Sequence, residues 1–267
     1  MTNARMLWRD IQRIREEAPL IHNITNYVVM NTTANALLAI GASPIMAHAA
    51  EEVEDIVRAA GALVLNIGTL SPPWVDAMIR AGREANRRNI PVVLDPVGSG
   101  ATPFRTSTAH HLIREAAPTF IRGNASEIRS LILSEQATKG VESIHSSDET
   151  VDAARSLSRN CRCVVSVSGA TDIVVAGTST FRISNGHPVM TKVTGLGCTA
   201  SSMTAAFAAV NSSHLRAAAH AMALMGIAGE MAAERSAGPG SLQMHFLDAL
   251  YSIQESDIEQ RLRMESS

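Results

Sequence analysis

The strongest chemical signal in the sequence is a glycine-rich turn that runs directly into an alanine-rich segment. Residues 193–210 read VTGLGCTASSMTAAFAAV, so Gly195 and Gly197 precede a stretch of helical character. Glycines let the backbone approach a ligand closely, and the N–H groups and dipole of a helix N-terminus favour a phosphate or a developing negative charge. The same sequence pattern also occurs in an ordinary turn before a packed helix. The segment alone therefore only suggests an anion site at residues 195–198.

Two common nucleotide-binding loops do not fit this turn. A dinucleotide-binding GxGxxG motif would need a third glycine where Ala200 stands, and it would follow the first strand rather than fall late in the chain. A GxxxxGK[ST] loop occurs nowhere in the sequence. A nucleotide phosphate bound here would use a third kind of phosphate loop.

Carboxylates stand near two further predicted strand ends. In VVLDPVGSGATPFR, residues 92–105, an apolar run ends in Asp95, and an acid at the carboxyl end of a strand lies where α/β sheets bind ligands. A turn-forming Asp-Pro pair is the structural alternative. In FIRGNASEI, residues 120–128, Glu127 either completes a helix capping box with Asn124 or holds Mg²⁺, which prefers carboxylate oxygens and waters.

The combination is more informative than any single motif. The candidate groups all fall at predicted strand ends or helix starts, which we expect to form one rim: Asp95, Asn124 with Glu127, and the turn at 195–198. Arg122 lies beside them and is suited to clamping phosphate oxygens. Phosphoryl transfer needs cations, metal-holding carboxylates and oriented N–H dipoles rather than covalent chemistry. The set therefore favours a phosphotransferase.

Short apolar runs alternate with longer alanine-rich stretches, which is typical of a mostly parallel sheet covered by helices. We predict strands from residue 62 onward, at 62–67, 90–95, 119–122, 163–168, 172–176 and 180–184. We predict helices at 7–17, 28–40, 51–59, 73–88, 127–133, 151–159, 199–210 and 215–235. A hairpin at 172–186 should add an antiparallel edge, and the polar segment 134–150 should be a mobile connection.

Composition restricts the class of protein. The chain has 267 residues, of which 46% are hydrophobic, which is enough for one large domain over residues 1–267. A net charge of −2 and only 3% aromatic residues argue against nucleic acid as a partner. The N-terminus is charged and no long apolar run occurs, so we predict a cytoplasmic protein with no membrane partner. The three cysteines have no CxxC spacing, so we expect reduced thiols.

These motifs resemble those of the ribokinase-like superfamily, whose members carry a GxGD anion-hole helix and an N-x-x-E magnesium motif. They read GLGC at 195–198 and NASE at 124–127 in this chain. Residues 22–55 and 65–70 resemble the hydroxyethylthiazole kinase branch specifically, and the similar segments together span nearly the whole chain. The resemblance implies an α/β fold, a ribokinase-like three-layer sandwich with a mostly parallel central sheet flanked by helices and no separate lid domain.

The resemblance also implies an activity and site residues. The activity is ATP-dependent phosphorylation of the primary alcohol of 4-methyl-5-(2-hydroxyethyl)thiazole, a salvage step of thiamine biosynthesis. By position, Met46 and Gly195 would contact the thiazole, and Arg122 and Ser168 would contact ATP. Without the resemblance, Met46 reads as core and Ser168 as a turn residue. Our magnesium ligands are Asp95 and Glu127.

Cys198 stands where wider ribokinase relatives use an aspartate as general base, although cysteine is usual in the thiazole kinase branch. Its position at a helix N-terminus is expected to lower the pKa of its thiol, so that it could accept a proton. A loose transition state would also tolerate a poor base. We therefore name Cys198 as the catalytic residue.

Alternatives remain open from the residues. The substrate could be another small alcohol, such as a hydroxymethylpyrimidine or pyridoxal, or the chain could be a non-catalytic sensor that binds nucleotide. Ribokinase relatives cover their site with an inserted β-lid. We expect that no segment of this chain is long enough to supply such a lid. The resemblance implies instead a homotrimer with active sites at subunit interfaces, where the segment around Met46 lines a neighbour's pocket.

Overall fold

A single nine-stranded sheet organises the chain in a computed structural model that describes residues 2–136 and 147–267. The strand order is β2-β1-β3-β4-β5-β6-β7-β8-β9. Pairing is parallel from β2 through β6 and antiparallel from β6 through β9. The strands are β1 (Leu20–Ile24), β2 (Ser43–Ile45), β3 (Ala62–Asn66), β4 (Val92–Asp95), β5 (Phe120–Asn124), β6 (Val164–Ser168), β7 (Asp172–Ala176), β8 (Ser179–Ile183) and β9 (Met264–Ser266).

Helices cover both faces of this sheet. They are α1 (Asn3–Glu17), α2 (Met30–Ile40), α3 (Val53–Ala59), α4 (Pro72–Arg87), α5 (Pro103–Ala116), α6 (Ala125–Gln136), α7 (Ser147–Cys161), α8 (Leu196–Val210), α9 (His214–Glu234), α10 (Pro239–Ser252) and α11 (Glu255–Arg261). A short 3₁₀ helix at Pro188–Lys192 precedes α8.

Two hydrophobic cores result, one on each face of the sheet. Side chains of a strand alternate between faces, so Leu63 and Leu65 of β3 pack with α3, α4 and α5, whereas Ala62 and Val64 pack with α1, α2, α8 and α9. Because these strands are buried on both faces, they read as continuous apolar runs rather than alternating ones. The fold is a three-layer α/β sandwich, as the sequence predicted.

The predicted strands are all present within a few residues, and the hairpin is confirmed by antiparallel pairing of β7 with β8. The expectation that strands begin only at residue 62 is wrong, because β1 and β2 precede it, and β9 was also missed. β2 and β9 have only three residues each, and β1 carries buried His22 and Asn23 among its apolar residues. All strands in the described part of the chain belong to this one sheet, so none forms a separate lid.

Helices α5, α10 and α11 were also not predicted. Most of the polar segment 134–150 lies outside the described residues. Within residues 2–136 and 147–267, no helix combines the length and apolar character needed to cross a membrane.

Candidate active site

The carboxyl ends of four neighbouring parallel strands form the rim on which the site is built. Asn66 at the end of β3 is the register partner of Asp95 at the end of β4, and Asn124 of β5 pairs with Ser168 of β6. The parallel register places these strand ends at one edge of the sheet. The N-terminus of α8 meets the same edge, because Ser201 of that helix hydrogen-bonds to Asp95.

Asp95 is a buried carboxylate whose Oδ2 accepts two side-chain hydrogen bonds. Ser201 Oγ donates at 2.7 Å and Asn66 Nδ2 donates at 2.8 Å. Burial raises the pKa of Asp95 to about 6, even though the nearby Arg122 charge and these hydrogen bonds act to lower it. The negative charge of Glu127 raises the pKa further, which places the two carboxylates close enough to interact. A cation bound here would offset both the cost of burying the charged carboxylate of Asp95 and its repulsion with Glu127.

Arg122 provides a buried positive charge that makes no ion pair in the described part of the chain. Its residue is only 5% exposed, and its Nε has no hydrogen-bond partner among the described residues. No ion pair found in the described part of the chain includes it. A buried guanidinium without a partner is costly, so its retention points to an anionic ligand.

A cavity of about 520 Å³ opens beside this guanidinium. Arg122 and Ser168 line it, together with Gly197 at the start of α8. A Cβ on Gly197 would lie 3.6 Å from Arg122 Nη1, an ordinary contact distance, so the start of α8 lies next to the guanidinium. Sequence reasoning named these three residues but missed most of the other lining side chains, which include Asp172, Asn185, His187, Met190 and Met225.

Glu127 forms the capping box that was the structural alternative to a metal role. Its Oε2 accepts the backbone N–H of Asn124 at 2.8 Å, and Asn124 Oδ1 accepts the N–H of Glu127 at 2.9 Å. Its Oε1 accepts a third hydrogen bond, from the N–H of Gly98 at 2.9 Å. Each carboxylate oxygen has a further lone pair, so the capping role and a metal contact are compatible.

The donor set fits a magnesium ion whose coordination shell would be completed by waters and substrate phosphates. No cluster of three or more His, Cys, Asp or Glu side chains suited to metal binding occurs among the residues described. Two interacting carboxylates remain, Asp95 and Glu127. Mg²⁺ is commonly bound by one or two carboxylates together with waters and substrate phosphates, so this sparse set suits it.

The glycine turn before α8 has the conformation that its sequence predicted. Gly195 is the helix N-cap with φ of +87°, in the left-handed region that glycine tolerates best, and it has no side chain to cap the helix. A Cβ there would also lie 2.8 Å from Val29 Cγ1. The first N–H groups of α8 therefore point toward the rim.

Cys198, in the first turn of α8, is half-buried, and its Sγ accepts a hydrogen bond from Asn26 Nδ2 at 3.4 Å. The expectation of a lowered thiol pKa is wrong. Burial and the negative charge of Asp95 raise the pKa of Cys198 to about 11, while amide hydrogen bonds from Asn66 and Asn26 lower it only in part. The thiol is therefore neutral near pH 7.

Ser168 and Met46 occupy different parts of the rim. Ser168 ends β6, and its hydroxyl donates to the carbonyl of Gly123 at 3.4 Å. Met46 directly follows β2, the outermost strand, with β1 and β3 between it and β4. The chain thus brings Ser168 together with Arg122 at the cavity, whereas Met46 lies apart at the edge of the sheet.

Comparisons with known proteins point to one family. The model of the hydroxyethylthiazole kinase family matches residues 11–256. A hydroxyethylthiazole kinase of Syntrophus aciditrophicus (strain SB) is 60% identical over 258 residues, covering 96% of each chain. One of Nitratidesulfovibrio vulgaris (strain DSM 19637 / Miyazaki F) is 53% identical over 264 residues, covering 99% of each.

Solved structures give the same answer for the fold. The hydroxyethylthiazole kinase protein of Pyrococcus horikoshii OT3 superposes with a TM-score of 0.91 at 41% identity, covering 98% of this chain and 99% of the other. Pyridoxal kinase of Staphylococcus aureus superposes with a TM-score of 0.67 at 16% identity, covering 93% of this chain and 97% of that chain, which supports the ribokinase-like fold alone. The predicted fold class is confirmed, and the chain belongs to the hydroxyethylthiazole kinase family.

Proposed function

We propose that this kinase transfers the γ-phosphoryl group of ATP to the primary alcohol of 4-methyl-5-(2-hydroxyethyl)thiazole, a salvage step of thiamine biosynthesis. The observation that carries the proposal is the buried Arg122, whose Nε has no hydrogen-bond partner among the described residues, beside the cavity and the N-terminus of α8. This arrangement offers a fixed positive charge and helix N–H groups to phosphate oxygens, which is what phosphoryl transfer requires. Family membership supports the choice of alcohol.

The nucleotide is placed in the cavity, with its phosphates toward the rim. Arg122 and the hydroxyl of Ser168 contact phosphate oxygens, and Gly197 leaves the first turn of α8 open to them. The transferred group develops its charge between the guanidinium and the helix N-terminus. These groups bind and orient the phosphates of the nucleotide, and none of them forms a covalent bond with it.

Asp95 and Glu127 hold the magnesium ion in this proposal. Such an ion neutralises charge on the phosphates and stabilises the leaving group. Asp95 and Glu127 would hold the ion, and both oxygens of Glu127 would keep the backbone N–H bonds that they already accept. The two interacting carboxylates support this assignment.

Cys198 adjoins the alcohol, with Gly195 beside the thiazole. A thiol with a pKa of about 11 is protonated at pH 7, so it is a weak base in the resting site. A loose transition state asks for little deprotonation of the alcohol before the phosphorus–oxygen bond forms. Catalysis therefore depends mainly on the phosphate and metal groups.

We also propose a single domain in a cytoplasmic homotrimer. Both cores share one sheet, which supports one domain. Tyr27 and Val28, each 64% exposed, follow the buried Asn26 of the rim, so apolar surface lies at the edge of the site. Met46 at the outer strand then lines a neighbour's site rather than its own.

Mixed trimers test the shared site. Met46→Arg and Arg122→Ala should each be inactive, and co-expression should restore part of the activity, because some interfaces combine two intact residues. No recovery, or an active monomer by light scattering at the assay concentration, would overturn the interfacial site.

A coupled ADP-release assay with Mg-ATP and the thiazole alcohol tests the reaction. The same assay with pyridoxal and with hydroxymethylpyrimidine separates the alternative substrates, and mass spectrometry of the product confirms phosphorylation. ADP release that needs both Mg²⁺ and the thiazole alcohol is expected. Equal or faster turnover of another alcohol would reject the substrate, and nucleotide binding without turnover of any alcohol would favour the sensor.

A further inference from the structure

Two buried asparagines connect the proposed metal carboxylate to the thiol. Asn66 is 1% exposed and Asn26 is 3% exposed. Asn66 Nδ2 donates to Asp95 Oδ2 at 2.8 Å, Asn26 Nδ2 donates to Asn66 Oδ1 at 2.8 Å, and Asn26 Nδ2 also donates to Cys198 Sγ at 3.4 Å. We call Asp95, Asn66, Asn26 and Cys198 the amide relay. Asn66 donates toward Asp95, and Nδ2 of Asn26 donates both to Asn66 and to Cys198, so each amide has one donor direction.

Backbone N–H groups fix that direction. The N–H of Gly68 donates to Asn66 Oδ1 at 2.9 Å, and the N–H of Val28 donates to Asn26 Oδ1 at 3.1 Å. A backbone N–H can only donate, so rotating either amide by half a turn would set two donors against each other in a buried place. Nδ2 of Asn26 must therefore face the sulfur.

The fit of Gly68 also immobilises Asn26. A Cβ on Gly68 would lie 2.5 Å from Asn26 Nδ2 and 2.7 Å from its Cγ, distances that no real Cβ tolerates. The absence of a side chain lets the Asn26 amide lie against the backbone of residue 68. The relay is thus held by packing as well as by hydrogen bonds.

We propose that Asn66 is a positioning residue that acts together with Asn26, holding the Cys198 sulfur as a hydrogen-bond acceptor and directing the thiol hydrogen toward the bound alcohol. The consequence for the alcohol rests on the proposed function, whereas the orientation of the thiol does not. The amide bonds lower the pKa of Cys198 against the opposing effects of burial and Asp95, in agreement with a sulfur that accepts.

Alkylation of Cys198 tests the relay without any substrate. The rate with iodoacetamide at pH 8 to 9 is followed on the Cys198 peptide by mass spectrometry, because Cys161 and Cys163 are also thiols outside any disulfide. Below the thiol pKa this rate follows the thiolate fraction, and removing amide donors lowers that fraction. Asn66→Ala is expected to slow alkylation about three- to tenfold. Gly68→Ala, which displaces Asn26 and keeps every relay residue, should act in the same direction.

Asn23→Ala is the matched control. Asn23 is equally buried on β1 and bonds to Ser202 of α8 and the carbonyl of Ile21, outside the relay. Asn23→Ala should lower the stability of the protein about as much as Asn66→Ala does. The alkylation rate of Cys198 in Asn23→Ala should stay within about twofold of the wild-type rate. Unchanged or faster alkylation in Asn66→Ala, or the same slowing in Asn23→Ala, would overturn the relay.

Turnover tests the positioning role separately. Asn66→Ala should lower kcat about tenfold with little change in KM for ATP, and the same change in a Cys198→Ala background should lower kcat by a smaller factor, because only the bond from Asn66 to Asp95 is then lost. Slowed alkylation with undiminished kcat, or equal losses in both backgrounds, would overturn the role of Asn66 in catalysis. If the protein does not phosphorylate the thiazole alcohol at all, the proposed function fails while the alkylation result still decides the orientation of the thiol.

Discussion

The hydroxyl of Ser201 donates a 2.7 Å hydrogen bond to Oδ2 of Asp95, and both residues are buried. This bond fixes α8 to the end of β4, so the helix N-terminus and the carboxylate face the same ligand. The carboxylate and a phosphate held at the helix N-terminus would repel each other without a cation between them. In the proposed reaction, the pair therefore defines where phosphate and metal meet.

The buried Asp95 should make stability depend on pH. Burial raises its pKa from the ordinary value of 3.8 to about 6, so the folded state binds this proton more tightly than the unfolded chain does. Its contribution to stability is fully present below about pH 4 and is lost as the pH rises through 6, a change on the order of 2–3 kcal/mol. Urea unfolding of wild type and Asp95→Asn from pH 4 to 7.5 should show a smaller decline in the variant. Parallel pH profiles would contradict the raised pKa.

Arg122→Ala should lose activity without losing stability. The guanidinium makes no ion pair in the described part of the chain, so its removal costs only its longer-range charge interaction with Asp95 and Asp172 and relieves its own burial, and the free energy of unfolding should change by about 1 kcal/mol or less. Activity should fall about 10²- to 10³-fold because the phosphates lose a preorganised charge. Steady-state kinetics with varied ATP and urea unfolding measure the two effects.

Arg105 is the matched control for that substitution. Its guanidinium donates to the carbonyls of Ile67, Val97 and Gly68 at 2.7–2.8 Å. Arg105→Ala should therefore lower the free energy of unfolding by about 2–4 kcal/mol, the opposite of the result at Arg122. A destabilised Arg122→Ala with normal turnover would show that Arg122 is structural.

Glu127→Gln should impair both folding and the use of magnesium. An amide keeps one acceptor oxygen and sets an NH₂ group against a backbone N–H, of Gly98 or of Asn124, which should cost about 1–3 kcal/mol of stability. Loss of the charge should also raise the Mg²⁺ concentration needed for half-maximal rate by about tenfold or more. Thr102→Ala, which removes the N-cap of α5 and no carboxylate, should lower stability alone. The metal role is wrong if the magnesium dependence of Glu127→Gln matches that of wild type.

The rim was predictable because parallel strands bring their carboxyl ends to one edge, so Asp95, Arg122 and Ser168 had to be neighbours once the strands were assigned. The capping box of Glu127 was visible in its spacing from Asn124. The pKa of Cys198 was not predictable, because it depends on burial and on Asp95, which lies 103 positions earlier in the chain. Asn66 was missed for the same reason: it ends a predicted strand, but its partners come from three other segments.

Substitutions of Cys198 should show that the thiol contributes only modestly. With a pKa of about 11 it is protonated throughout the pH range of ordinary assays, so no change in rate from its ionisation is expected below about pH 9. Cys198→Ala should lower kcat about two- to twentyfold and not abolish it, because the backbone N–H groups of residues 195–198 and Arg122 remain. Cys198→Asp should retain or raise the rate, since the amide of Asn26 that now donates to sulfur can donate to a carboxylate.

The carboxylate variant separates the two roles open to the thiol. A folded but inactive Cys198→Asp would show that a neutral group is required beside Asp95, whose charge already opposes ionisation of the thiol. A phosphate-sized mass increase on the Cys198 peptide during turnover would instead indicate a covalent phosphocysteine. We expect neither result, because a protonated thiol that accepts amide hydrogen bonds is a poor nucleophile toward phosphorus, and direct transfer to the alcohol needs only the groups that Cys198→Ala leaves in place.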